Sequence, residues 1–391
     1  MTTDTTAPAK HRGAHLDEVY PTLPFTPVSG SGAWLEDESG RRVLDFYGGH
    51  AVAALGYGHP RLIEAVSKQT ARLHFQSNVL PLGIRDEAAD RLAAFAPRGL
   101  DRVFFVNSGA EANENALRVA LKLTGRPKIV AVEHSFHGRT AAAAAVTWGS
   151  KKWYGFPRTP MDVQFVPRGD VAALHAAVDE RTAAVIVEPV QGLAGAYDLG
   201  ADFLRAARQA CDRHDALLIL DEVQSGMGRL GKPFGADLYR VAPDLLTTAK
   251  GLAGGFPCGA LIMTRTIAAE LTPGQLGTTF GGGPVACAAI VAVIDAIEQE
   301  NLLENVRTLS ALIRQTCVTG PVVGMQGEGF LIGLKTTPPA AKLRDALLER
   351  DILTGTSTDP HVLRLLPPLI LERSHVELLA AALTELADAS L

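Results

Sequence analysis

Between residues 102 and 220 the chain alternates short runs of β-forming apolar residues with longer stretches rich in Ala and Leu, and this rhythm limits the fold more than any other feature. The runs are RVFFV (102–106), KIVAV (128–132), VQFV (163–166), AAVIVE (183–188) and ALLIL (216–220), with stretches such as ENALRVALKLTG and ADFLRAARQACDRHD between them. Strands that are apolar on both faces and spaced by helices describe a mainly parallel sheet with helical crossovers. In such a sheet the ligand-binding groups lie past the carboxyl ends of the strands.

The flanks read differently. GAWLEDESGRRVLD (32–45) holds two apolar runs around Glu38-Ser39-Gly40 and predicts a small hairpin, and after Gly58 the residues Leu62, Ile63, Val66, Thr70 and Leu73 recur at helical spacing. From about Asn301 onward helices return with the short strands FLIGLK and VLRLL. A chain of 391 residues has room for roughly two to three domains at about 150 residues each. The expected division is a loose arm over 1–15, a segment over 16–55 that packs on the small domain, a large domain over 56–300 and a C-terminal small domain over 301–391.

Composition narrows the function classes. With 47% hydrophobic and 20% charged residues the chain is ordinary globular protein, not a disordered, collagen-like or disulfide-rich one. Its 37 Lys and Arg against 42 Asp and Glu leave −5, which argues against nucleic acid or an anionic membrane as the main partner. Cys211, Cys258, Cys287 and Cys317 form no CxxC pair and have no His cluster beside them, so a reduced cytoplasmic chain with no metal site is expected. The opening MTTDTTAPAKHRGAH lacks the apolar stretch of a secretory signal, and no segment approaches the ~18 to 20 apolar residues of a membrane span.

Three clusters carry chemistry. Asn107-Ser108-Gly109-Ala110-Glu111 lies between the strand RVFFV and a helix that ends at Gly125; a glycine turn opening a helix offers free N–H groups to a phosphate, although a plain strand-to-helix turn reads the same way. Asp221 follows ALLIL, where it could ligate Mg²⁺, act as a base, hold a ring-nitrogen proton or cap a helix. Lys250 ends the apolar run before GLAGGFPCGA, where a partly desolvated amine becomes a Schiff-base nucleophile and a solvated one is inert. An anion turn, an acid and a lysine at three strand ends are together what pyridoxal phosphate requires: a phosphate cup, a carboxylate on the pyridinium nitrogen and an amine for the aldehyde.

At this point the chain resembles the class III aminotransferases, a fold-type I pyridoxal-phosphate family. NSGAEANENALR, HSFHGRT, IVEPVQG, LILDEVQSGMGR, TTAKGLAGGFPCGA, GTTFGGGP and RLLPPL stand in the family's order and at its spacings over nearly the whole length. FHGRT and YGGHAVAALGYGHP look most like the acetylornithine and other N-acylornithine aminotransferases. The resemblance implies an α/β large domain on a mainly parallel sheet of seven-stranded type with helices on both faces, and a smaller α+β domain built from both termini. It assigns Lys250 to the covalent link with the cofactor and to proton transfer, Asp221 to the pyridinium N–H, Gln224 to the phenolic oxygen, and Phe136 and Val223 to the two ring faces. Ser108, Gly109 and Ala110 would take the phosphate, and Thr279, with Thr278 toward substrate, would come from the second subunit of a homodimer. Arg139 would bind the donor's α-carboxylate and Arg364 the carboxylate of 2-oxoglutarate or glutamate, unless they are a helix-surface residue and a strand-end ion pair. Glu188 would orient Arg139 or the ring-side network, or be a simple salt-bridge partner; His137, His50 and His59 read as structural.

The implied reaction is a ping-pong transfer of the δ-amine of an N-acylornithine to 2-oxoglutarate, giving the semialdehyde and glutamate, as in arginine biosynthesis. The alternatives are another ω-aminotransferase (ornithine, 4-aminobutyrate, putrescine or a lysine derivative), an amine-moving isomerase, and a non-catalytic binding module, against which the intact Asp221 and Lys250 argue. Two positions depart from the family. Leu193 stands where many ω-amino-acid members carry a glutamate that shields the Arg364-type residue, so Arg364 is expected to stay unpaired or to use another acid. Gly283, in GGGP, lacks the amide of the commoner GGNP, and SNVLPLGIRDEAADRL differs from the usual string at the substrate entrance.

Overall fold

The computed structural model describes residues 15–17 and 19–387, so the expected arm falls, apart from His15, outside the described residues. The five apolar runs are all strands of one seven-stranded sheet, ordered Leu100–Val106, Gly259–Thr264, Leu245–Thr248, Leu217–Asp221, Thr182–Val187, Lys128–Val132, Asp162–Val166. Ile129 to Val132, Ala183 to Val187 and Leu218 to Leu220 are completely buried, as a sheet covered on both faces demands. The sheet is parallel except for Gly259–Thr264, which runs antiparallel to both neighbours. The stretch Ala249–Cys258 that precedes this strand is too short for a helical crossover, so the chain can only return antiparallel.

Local chemistry sets the helix that opens on the anion turn. Ser108 is its N-cap, accepting from the Glu111 amide at 3.1 Å, and the Glu111 carboxylate returns to the Asn107 amide at 2.6 Å. The helix spans Gly109–Thr124 and stops at Gly125, whose φ of 67° is the left-handed C-cap conformation that glycine adopts without strain. Helix Pro284–Gln299 buries twelve of its sixteen residues and packs against the turn Lys250–Ala253. Each fully buried Ile or Val there is worth about 1.5–3 kcal/mol, so the lysine-bearing turn rests on one of the firmest parts of the molecule.

The termini build the rest. Trp34–Asp37 and Arg42–Asp45 form the expected hairpin, and Ile352–Leu353 joins it parallel to Leu44–Asp45. A four-stranded antiparallel sheet, ordered Val322–Glu328, Leu331–Thr336, Val362–Leu365, Gly355–Thr356, carries Arg364 opposite Gly333. Pairing of residues 44–45 with 352–353 supports a small domain drawn from both ends of the chain. No helix of the described residues is long and apolar enough to cross a membrane.

Candidate active site

Every residue assigned above to a single subunit lines one cavity of about 600 Å³ at the carboxyl ends of the parallel strands. The anion turn forms one wall. Gly109 and Ala110 are the first two residues of their helix, so their amides have no partner within it and are free for a phosphate. Packing around the turn leaves no slack: a Cβ on Gly109 would lie 2.7 Å from Val223 Cγ1, and one on Gly259 would lie 2.4 Å from the Ser108 carbonyl oxygen.

Asp221 is the last residue of its strand and is buried. Its Oδ2 accepts from Asn113 Nδ2 at 2.7 Å and faces His137 Nδ1 at 2.7 Å, while Oδ1 accepts from the Val223 amide at 3.0 Å. A carboxylate only accepts, so His137 carries its proton on Nδ1. No helix starts at Asp221, which removes the capping role. Lys250 opens a 3₁₀ turn with φ at +47°, a left-handed conformation that costs a side-chain-bearing residue energy and that functional sites retain. Burial pushes its amine pKa down, opposed by the charges of Asp221 and Glu188, so the amine is not the solvated surface group of the alternative reading.

The two arginines sit differently. Arg364 is buried, donating from Nε to the Thr356 carbonyl at 2.7 Å and from Nη1 to the Gly192 carbonyl at 3.2 Å, with the Tyr47 hydroxyl 3.4 Å from Nη2. Arg139 is exposed, its guanidinium 4.7 Å from the Trp153 ring centre and 5.7 Å from that of Phe136. Neither is paired with a carboxylate among the described residues, so the strand-end ion pair considered for Arg364 is not formed. Glu188 does not orient Arg139; its carboxylate accepts from the Phe136 amide at 2.8 Å and the Gly192 amide at 3.3 Å. Burial raises the Glu188 pKa, with His137 opposing and Asp221 adding to the rise.

The family model for aminotransferase class III matches residues 17–387. This chain belongs to the class III aminotransferases. The aminotransferase is 44% identical over 373 residues to the acetylornithine aminotransferase of Streptomyces coelicolor, covering 94% of this chain and 92% of that one. It is 42% identical over 375 residues to the acetylornithine aminotransferase of Methanopyrus kandleri, covering 95% of each. Among solved structures, the acetylornithine aminotransferase of Elizabethkingia anophelis matches with a TM-score of 0.85 and 30% identity over 95% of this chain and 96% of that one. The ornithine aminotransferase of Toxoplasma gondii matches with a TM-score of 0.89 and 29% identity, over 95% of this chain and 92% of that one.

As a member of this family the aminotransferase uses pyridoxal phosphate, and its residues fit that group: free amides at a helix start, a buried carboxylate and a desolvated amine face one cavity. Thr278 and Thr279 do not line it. They lie beside an exposed apolar patch in which the tilted rings of Phe280 and Phe75 have centres 5.3 Å apart and Val79 is 87% exposed. Sequence reasoning passed over Asn113, Thr247 and Tyr47, and it left His50 as structural, whereas His50 lines the cavity with Nδ1 2.6 Å from the Tyr47 hydroxyl. Burial, with the charges of Arg364 and Lys250, lowers the His50 pKa to about 4, so the ring is neutral. For Asn113 there was a signal, a lone amide in the buried face formed by Ala112, Ala116, Leu117 and Ala120.

Glu222, beside Asp221, is completely buried and accepts from the Gly235 and Ala236 amides at 2.7 Å each and from Ser225 Oγ at 2.8 Å. Burial still pushes its carboxyl from 4.5 up to about 7. The folded protein therefore holds this proton more tightly than the unfolded chain, and stability present below the ordinary value is lost as pH rises through about 7. Glu222 is expected to contribute a loss of stability on the order of 2–3 kcal/mol between pH 5 and pH 8 in the cofactor-free protein, read as the difference between the pH profiles of wild type and Glu222→Gln. Identical pH profiles for the two proteins in calorimetry would rule out a raised Glu222 pKa in the folded state.

Proposed function

We propose that this aminotransferase moves the terminal amine of N-acetylornithine, or a near N-acyl relative, to 2-oxoglutarate, giving the semialdehyde and glutamate as in arginine biosynthesis. The observation that carries the reading is a cavity holding Lys250 and Asp221 together with two guanidiniums, Arg139 and Arg364, that have no carboxylate partner among the described residues. Two such cations call for substrates with carboxylates, and relatives at 42% and 44% identity bear the name acetylornithine aminotransferase.

When bound, pyridoxal phosphate supplies an aldehyde for the amine and a ring that accepts the electron pair left by proton removal. Gly109 and Ala110 amides, with Ser108, would hold its phosphate, Phe136 and Val223 would confine its ring, and Gln224 would meet its phenolic oxygen. Asp221 keeps acceptor capacity on Oδ1 for the ring-nitrogen proton. Lys250 Nζ, with its pKa held down by burial, would take and return a proton. Arg139, at the exposed edge, holds the donor's α-carboxylate; Arg364, fixed by two carbonyls, holds that of 2-oxoglutarate. Glu188 serves substrate binding through the backbone of Phe136 and Gly192.

A homodimer completes the site in this reading. Thr279 and Thr278 do not line their own cavity, and the exposed patch of Phe75, Val79 and Phe280 beside them is what a second copy would cover. The cytoplasm is the proposed location, in line with four free, buried cysteines.

Leu193 lines the cavity next to Gly192, whose carbonyl takes the Arg364 Nη1 proton. Arg364 thus meets 2-oxoglutarate without first leaving a carboxylate. Leu193→Glu is expected to lower kcat/KM for 2-oxoglutarate roughly tenfold, since a hydrogen bond to a charged group is worth about 1.5–3 kcal/mol. Equal turnover ratios for ω-amines and α-amino acids before and after the change would sink this account.

The deciding test is the visible absorbance of the holoenzyme during separate additions of N-acetylornithine, ornithine, 4-aminobutyrate and glutamate. N-acetylornithine should bleach the band fastest and 2-oxoglutarate should restore it. Ornithine is the second reading, favoured by the fold likeness to the Toxoplasma gondii ornithine aminotransferase, and faster bleaching by ornithine would install it.

A further inference from the structure

Asn113 stands in the second turn of the helix that begins at the anion turn and is 1% exposed. Its Nδ2 donates to Asp221 Oδ2 at 2.7 Å and to the His137 carbonyl at 2.7 Å. Both partners only accept, which fixes the amide with Nδ2 toward them and leaves Oδ1 to accept from Thr247 Oγ1 at 2.6 Å. Thr247 pairs with Asp221 across the parallel strands and stands three residues before Lys250. One amide therefore joins the phosphate helix, the loop that carries Phe136 and Arg139, the strand that ends in Asp221 and the strand that leads to Lys250.

From this arrangement we infer that Asn113, locked by Thr247, is a positioning residue that sets the direction in which Asp221 meets the cofactor. With Oδ2 engaged by Asn113 and His137, the carboxylate cannot rotate, and Oδ1 is the oxygen presented to the ring nitrogen. Asn113 touches no reacting atom in this account; it acts through Asp221. An apolar residue in its place would leave the His137 carbonyl and the Thr247 hydroxyl buried without those partners, and Asp221 held on Oδ2 by His137 alone. A weaker grip on the ring proton lessens the positive charge on the ring, so the imine nitrogen of the lysine-bound cofactor holds its own proton more tightly.

The inference rests on the reading of Asp221 given above, and the experiment separates the two. Asn113→Ala, Thr247→Val and Thr247→Ser are purified, and the pH midpoint of the visible band, the affinity of the cofactor-free protein for pyridoxal phosphate, kcat, KM and the melting temperature of the cofactor-free protein are measured. Asn113→Ala and, more mildly, Thr247→Val should raise the band midpoint, weaken cofactor binding about tenfold and lower kcat more than KM. Thr247→Ser, which keeps the hydroxyl, should retain the wild-type midpoint. A lowered melting temperature with an unmoved midpoint in both Asn113→Ala and Thr247→Val would overturn the proposal in favour of a packing role. Should Asn113→Ala fail to fold, the contrast between Thr247→Val and Thr247→Ser decides alone. If Asp221→Ala also leaves the midpoint unmoved, the Asp221 reading itself has failed; if it moves the midpoint and the Asn113 and Thr247 variants do not, only the role of Asn113 is lost.

Discussion

The Lys250→Ala protein is expected to lose turnover by about 10⁴-fold or more while remaining folded, because one change removes both the amine that holds the cofactor and the proton carrier. Folding should survive for a structural reason. Lys250 points into a cavity, so truncation opens no void in the core, and its turn rests on the buried face of Pro284–Gln299. Alanine adopts a positive φ no more easily than lysine, so the +47° at this position is neither relieved nor worsened. Absorbance should show the spectrum of free rather than lysine-bound pyridoxal phosphate, and small primary amines in solution should restore part of the rate. Turnover within tenfold of wild type, or an intact band, would move the reactive amine to another residue.

Asp221→Asn should cost about 10²–10³-fold in kcat although it changes no side-chain volume, since it removes a charge aligned with one that develops during the reaction. The neighbours determine how the new amide sits. Asn113 Nδ2 and His137 Nδ1 both donate toward Oδ2, so the amide oxygen must occupy that place and the NH₂ must turn to the position of Oδ1. There it meets the Val223 amide, another donor, and presents a proton to a ring nitrogen that needs an acceptor. A cofactor analogue with a permanently methylated ring nitrogen carries its positive charge without help and should recover part of the lost rate. If the analogue is no better than the natural cofactor in the variant, Asp221 acts on something other than the ring charge.

Much of the frame was legible because it rests on local rules. Five apolar runs become five strands since a strand buried on both faces has no polar alternation to obscure it, and the Ser108 cap with the Gly125 stop bounds a helix by short-range hydrogen bonds alone. The reversed strand Gly259–Thr264 escaped because direction depends on connection length, which an apolar run does not display. Arg139, Arg364, Asp221 and Lys250 were found as motif residues, whereas the partners that hold them came only with the fold. Thr247 and Asn113 are 134 residues apart, and no periodicity reports that their side chains meet. Glu188 illustrates the same limit: its charge and strand-end position were visible, but the choice of the Phe136 amide over Arg139 is a matter of where a loop lies.

The pairing of Leu44–Asp45 with Ile352–Leu353 bears on how the enzyme is made. Tyr47, just after the first of these strands, reaches Arg364 across 317 residues of sequence. A chain growing on the ribosome has the anion turn, Asp221 and Lys250 in hand well before the strand that carries Arg364 emerges. A partly synthesised molecule could thus gather the proposed cofactor-binding elements while still lacking Arg364, the residue proposed to hold the keto acid. With Arg364 in the proposed role, acceptor selectivity would be the last property this polypeptide acquires.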